Sequence, residues 1–256
     1  MIFSDFITLH SPLKLLGLSL TLSLAISLPL TAEANSPGFY QLQEIPTPVP
    51  GQLPSPNSEE EEPELTPSEL SLQKGLELFE SRQFPEAIEA LTEAIQLDRR
   101  NSEAYLNRGL IHHVMQKYDE AYNDYTRSIE LNPDDLNAYF NRANLLGQLE
   151  RYGDAILNYN SVLQINPRDA DAYYYRALMY LKLEDKKSAL ADFSQVIEIS
   201  RRHADAFFQR AMLQAETGNI QAAISDFVSA ANIFSQEGRE SDYQKALNEA
   251  LKLQRR

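Results

Sequence analysis

Small and apolar positions recur along this chain at a fixed interval. Ala87, Ala121, Ala155, Ala189 and Ala223 stand 34 residues apart, and four residues after each comes a large side chain: Leu91, Tyr125, Tyr159, Phe193 and Phe227. Units 68–101, 102–135, 136–169, 170–203 and 204–237 place each alanine at the twentieth position. The eighth position is always small (Gly75, Gly109, Ala143, Ala177, Ala211), and the fourth is aromatic in four units (Tyr105, Tyr139, Tyr173, Phe207). In the second unit Tyr105, Gly109 and Ile111 follow helical spacing, and so do Ala121, Tyr125, Ile129 and Leu131. Each unit therefore reads as two helices that approach closely at their small residues, with aromatic rings filling the space beside them. A strict period predicts stacked units that bury their faces against one another.

The connectors agree with this division. Lys117 to Asp119, Gly153 with Asp154, and Gly218 with Asn219 are predicted as the turns between paired helices. Asn132-Pro133 and Asn166-Pro167 end second helices, because proline does not continue them. Arg99, Arg201 and Ser235 occupy the proline position elsewhere, so those junctions are less sharply specified. Thr66-Pro67-Ser68-Glu69 supplies a helix start with an N-cap and an early proline. Beyond the last unit, Ser241 and Gln244 have the spacing of a capping box. Tyr243, Ala246, Leu247, Ala250 and Leu251 form an apolar stripe behind it, and Lys252, Arg255 and Arg256 suit the helix's negative end. Residues 238–256 are thus expected to form a helix that covers the last unit.

With these residues the chain resembles the tetratricopeptide repeat family over residues 68–237. It departs from the family pattern in having no tryptophan at the fourth position and Lys or Arg where leucine is usual at the seventh. The first unit is the weakest, with Ser71 and Leu91 where the others carry aromatic rings. The resemblance implies an all-α, right-handed superhelical solenoid of five helix-turn-helix repeats plus a C-terminal capping helix. It also implies binding of proteins or peptide segments.

Residues 1–34 read as an export signal. Lys14 precedes an uncharged run from Leu15 to Leu30, and Thr31-Ala32-Glu33-Ala34 offers the small residues of a cleavage site after Ala34. The alternative is an uncleaved N-terminal anchor, although the run is shorter than the ~20 residues that span a bilayer comfortably. Residues 35–67 hold eight of the 13 prolines and the acidic block Glu59 to Glu62, a composition expected of a solvated linker. The expected location is periplasmic or otherwise extracytoplasmic.

Charge and missing chemistry narrow the function. A net charge of −14 disfavours nucleic acid and anionic membrane surfaces as partners. With no cysteine there is neither a disulfide framework nor a lipid-modified N-terminal cysteine. The four histidines are His10, His112, His113 and His203. His112 and His113, adjacent on a helix, point about 100° apart and do not chelate as an i, i+4 pair does. No Gly-rich phosphate loop, nucleophile elbow or metal motif is present. The chain is therefore expected to be non-catalytic, without cofactor or metal, and monomeric.

The family resemblance implies that the first helices line a concave face. Carried over to this sequence, the inward positions give Leu106, Phe140, Tyr174 and Phe208 at the fifth place and Leu110, Asn144, Leu178 and Met212 at the ninth. Asn107, Asn141, Tyr175 and Gln209 fall at the sixth place, and His113 further along. Amides there suit a peptide backbone, because they both donate and accept. The lysines and arginines with which related repeats clamp a terminal carboxylate are missing. Arg108, Arg142, Arg176 and Arg210 each precede Asp124, Asn158, Asp192 or Asp226 by 16 residues, and are expected to pair internally. The first unit lacks both partners, having Lys74 and Ala90. The function these features imply is a scaffold or assembly factor, the alternative being a regulatory or substrate-presenting subunit of an envelope enzyme.

Overall fold

The computed structural model describes residues 65–255; the expected signal and nearly all of the linker lie outside the described residues. The described residues form eleven α-helices and no strand. The first helices of the five pairs are α1 (Pro67–Glu80), α3 (Ser102–Val114), α5 (Leu136–Gln148), α7 (Ala170–Lys182) and α9 (Ala204–Glu216). Their partners are α2 (Phe84–Leu97), α4 (Tyr118–Leu131), α6 (Tyr152–Ile165), α8 (Lys186–Ile199) and α10 (Ile220–Gln236). A final helix, α11 (Glu240–Gln254), packs on α10. Each helix packs on its neighbours in sequence, which is the solenoid that the period demands.

The small positions act as predicted. A Cβ added to Gly75 would lie 2.7 Å from Leu91 Cγ, and one added to Gly109 would lie 2.9 Å from the Tyr125 ring. Alanine serves at the same place in the last three units, and the twentieth-position alanines are all fully buried. Tyr125, Tyr159, Phe193, Phe227 and Leu91 fill the space between paired helices with no more than 1% exposure. Burying each contributes about 1.5–3 kcal/mol.

Gly218 with Asn219 makes the turn between α9 and α10 as expected, whereas the turns of the second and third units fall a few residues earlier. Tyr118 and Tyr152 already open α4 and α6, so Asp119, Gly153 and Asp154 lie inside helices. The reversal is instead made by a left-handed residue at the fifteenth position: Arg82, Gln116, Glu150 and Glu184 near φ 60°, and Gly218 at φ 83°. The following N–H bonds back across the turn, Lys117 to His112 at 2.8 Å and Arg151 to Leu146 at 2.8 Å, as in a Schellman motif. Four L-residues accept the strain of this conformation because the packed helices on either side leave the chain no other exit.

Proline is also less decisive than expected. α2 and α8 stop at the same position as α4 and α6, although Arg99 and Arg201 replace the proline. What the four junctions share is an N-cap at the thirty-fourth position. Asn101, Asp135, Asp169 and His203 each accept the N–H of the residue three ahead, at 2.9–3.4 Å. Thr66 and Glu69 form the reciprocal capping box at α1. After α10 no such cap exists, and the helix runs on to Gln236. The capping box expected at Ser241 and Gln244 is not formed: α11 begins at Glu240 with Arg239 as N-cap and no side-chain cap bond. Gln244 instead donates to Glu240 within the helix. Ala246, Ala250 and Leu253 are buried, covering the end of α10 as a cap must, while Leu251 is exposed.

Candidate protein-binding face

The first helices of the first three pairs come together on one side of the stack: α1 touches α3, and α3 touches α5, past the second helices between them. This closeness decides which candidate residues reach the surface. Leu106 and Leu110 are buried with Ala121, Tyr125 and Ala138. Phe140 is buried edge-on to Tyr159 and Tyr175, each 5.6 Å away. Asn107 and Asn141 are buried too, and Asn107 turns its amide onto its own helix, Nδ2 to the Glu103 carbonyl at 2.9 Å. These five residues belong to the packing and do not line a groove. Helix neighbours enclose the aliphatic side chains of Leu106 and Leu110, and Asn107 at the sixth position satisfies its amide locally.

The remaining candidates gather mainly in the last three repeats. His113, Asn144, Tyr174, Tyr175, Leu178, Phe208 and Gln209 are half-buried, and Met212 is 37% exposed. Asn144 Oδ1 accepts the hydroxyl of the buried Tyr159 at 2.6 Å. Tyr174 packs edge-on to Tyr175, with ring centroids 5.5 Å apart, and lies 4.6 Å from the His203 ring. Phe208 meets Phe227 at 5.3 Å and carries the Lys245 ammonium 5.0 Å above its ring. His113 shares a hydrogen bond with Gln148 Oε1 at 2.8 Å, and Gln148 donates to the Tyr118 hydroxyl at 2.8 Å.

Three residues beside this face carried no signal in the repeat pattern. Arg239, which follows the last unit, grips Asp205 through two bonds of 2.8 and 3.0 Å and Asp242 through one of 2.8 Å. These bonds hold its pKa above the ordinary arginine value despite partial burial. Lys245 approaches Phe208 from the capping helix, and His203 couples the start of α9 to Tyr174. Burial lowers the pKa of His203, against the opposing pull of Asp205 and Asp171. Burial likewise lowers that of His113, with its Gln148 bond opposing.

The arginines pair as expected and also reach backwards. Arg108, Arg176 and Arg210 each clasp an aspartate 16 residues ahead with two bonds of 2.7–2.9 Å. Each also donates to the residue 16 behind it, Thr92, Asn160 or Ser194. Every arginine thus ties three helices and two repeats together. His112 completes the Asp124 site at 3.1 Å, in keeping with a packing role.

No grouping of three or more histidine or acidic side chains able to hold a metal occurs among the described residues. No described helix is long and apolar enough to cross a membrane. Tetratricopeptide repeat models match residues 102–135, 124–156 and 170–203, and a TPR repeat model matches 75–116 and 143–184. Together they run unbroken over half of the chain. The chain belongs to the tetratricopeptide repeat family. The fifth tetratricopeptide repeat, beyond these matches, keeps the same helix pair, small positions and arginine–aspartate clasp. No curated protein matches the sequence. Among solved structures, a crystal structure of MamA is 19% identical, covers 64% of this chain and 96% of its own, and superimposes with a TM-score of 0.61. YrrB, described as a TPR protein with an unusual peptide-binding site, is 21% identical over 70% of this chain and 89% of its own, with a TM-score of 0.59. PilF of Pseudomonas aeruginosa is 14% identical over 73% and 90%, with a TM-score of 0.58. At these identities the likeness is one of fold.

Proposed function

We propose that this tetratricopeptide repeat protein is a non-catalytic scaffold that holds a protein or peptide segment against the first helices of its last three repeats, outside the cytoplasm. One observation carries the reading. Leu178, Gln209 and Met212 stand on α7 and α9 beside the rings of Tyr174 and Phe208, reaching solvent from a face the internal packing leaves open. Apolar side chains beside rigid aromatic rings suit an apolar segment of a partner, and Gln209 offers its backbone both a donor and an acceptor. Asp171 on α7 favours a segment without acidic residues beside it, whereas Arg239 already covers Asp205. The peptide-binding site ascribed to YrrB supports this assignment. Extracytoplasmic work is supported by the uncharged run Leu15 to Leu30 and the small residues Ala32 and Ala34 behind it.

The test is affinity capture from an envelope extract, comparing the parent chain with a Leu178→Ser, Gln209→Ala, Met212→Ser variant shown to be folded by circular dichroism. A partner retained by the parent and lost by the variant is the expected result. Equal capture by both would remove the face from consideration.

A further inference from the structure

The third repeat breaks the arginine ladder. Where the other three arginines meet aspartate, Arg142 meets Asn158. Its Nε donates to Asn158 Oδ1 at 2.8 Å and its Nη1 to Thr126 at 3.1 Å. The Asn158 amide turns away, donating to the Asp154 carbonyl at 2.8 Å. Nη2, which elsewhere holds the second carboxylate oxygen, has no acceptor among the described residues. The guanidinium lies 5.9 Å from the rings of Tyr122 and Tyr139. Burial lowers its pKa, whereas Arg176, similarly desolvated, is raised by Asp192.

Above this half-buried charge is an open depression of about 220 Å³ between α4, α5 and α6. Tyr122, Arg142, Arg151, Asp154, Leu157 and Asn158 line it, and none of them belongs to the face proposed above. Arg151 lies over the Tyr122 ring at 5.6 Å, paired through its Nε and Nη2 to Asp154. Leu157 stands on α6 at 63% exposure.

We infer that this depression is a second binding site, on the second-helix side of the stack, for the carboxylate of an aspartate or glutamate side chain of a partner protein. The ladder itself supplies the template. In three repeats the same edge of the same guanidinium is filled by a planar carboxylate at 2.7–2.9 Å. In the third repeat the internal carboxylate is missing, and the cavity opens the remaining donor to solvent. An entering carboxylate accepts from Arg142 Nη2, with Arg151 at the mouth shared between it and Asp154, and Leu157 as an apolar rim for the residue beside it. The charge it meets is buried enough to resist salt screening, in a chain whose overall charge otherwise repels acids.

The experiment uses the full chain with nitrogen-15 label, following the arginine Nε–H signals by NMR as N-acetyl-glutamate N-methylamide is added, and separately inorganic phosphate. The expected result is a saturable shift of the Arg142 and Arg151 signals with the glutamate probe, while Arg108, Arg176 and Arg210 stay fixed. Asn158→Asp fills the site from inside as the other repeats do. It is expected to stay folded and to weaken probe binding about tenfold or more, the loss of one charge-assisted bond. Arg151→Gln, at the exposed mouth, is expected to weaken binding severalfold with the fold intact. Unmoved Arg142 signals, undiminished binding by Asn158→Asp, or a response to phosphate alone would each overturn the inference. The readout is the free protein with a small probe, so failure here leaves the first-helix face untouched.

Discussion

Arg176 does more than balance a charge. It donates to Asp192 on α8 and to Asn160 on α6, so its removal unties two repeats and strands a carboxylate only 7% exposed. Arg176→Met is expected to cost about 3–5 kcal/mol, the usual penalty for orphaning one member of a buried ion pair, read by urea denaturation. If binding fell while stability held, the structural role would be refuted. Glycine has position-dependent consequences here. Gly153 is the second residue of α6 with open space around its Cα, so Gly153→Ala is expected to stabilise by about 0.5–1 kcal/mol. Gly218→Ala, by contrast, forces a Cβ into a left-handed turn and is expected to destabilise by about 1 kcal/mol. Thermal melts of the two variants should therefore shift in opposite directions. The sequence marked both glycines alike as turn residues, because the left-handed residue in the third repeat is Glu150, a side chain that gives no such signal.

At the scale of the helix, the ends are governed by the N-cap of the next first helix more than by proline. Asp169→Ala is expected to cost about 1 kcal/mol, because the Ala172 N–H loses its acceptor in a buried junction. Pro167→Ala, at an exposed site next to it, should cost far less, and comparative melting decides between them. The caps are present in the sequence as Asn101, Asp135 and Asp169 at a constant position, but Pro133 and Pro167 beside two of them give the stronger helix-ending signal. His203 takes the same place with a ring nitrogen, and this brings in pH. Burial holds His203 and His113 below the ordinary histidine pKa of about 6.5. Between the folded and unfolded values the unfolded chain binds more protons, so stability is full above about pH 6.5 and declines as pH falls through the lower folded-state values. The melting temperature is expected to drop between pH 7.5 and 5.5, and to drop less in a His113→Gln, His203→Asn variant. An unchanged slope would locate the effect elsewhere.

The assembly is a chain of nearest-neighbour contacts with one sealed end. Phe234, Ala230 and Ala231 are buried at the C-terminal end of the stack, where Ala246 of α11 joins their cluster. Deleting residues 238–256 is expected to expose that surface, lower the melting temperature and produce concentration-dependent association, measurable by light scattering. The deletion also removes Arg239 and Lys245, so Asp205 and Phe208 lose the cations that cover them. Through those two residues, the capping helix helps set the charge of the proposed binding face.

By itself the sequence determined the repeat length, the pairing of helices, the close approach at the eighth and twentieth positions and the arginine–aspartate clasp. All of these are enforced at the same spacing in unit after unit, so periodicity reveals them. It did not determine which inward side chains remain at the surface. Leu106, Phe140 and Asn141 share their repeat positions with Tyr174, Phe208 and Gln209, yet the first group is buried and the second half-exposed. Only the tertiary structure decided this, because exposure depends on how near the next first helix lies and on groups outside the repeats. Likewise, Asn158 reads in the sequence as a near-equivalent of aspartate. The packed arrangement reveals it as the one position where a ladder arginine, held by three helices, is left without its carboxylate.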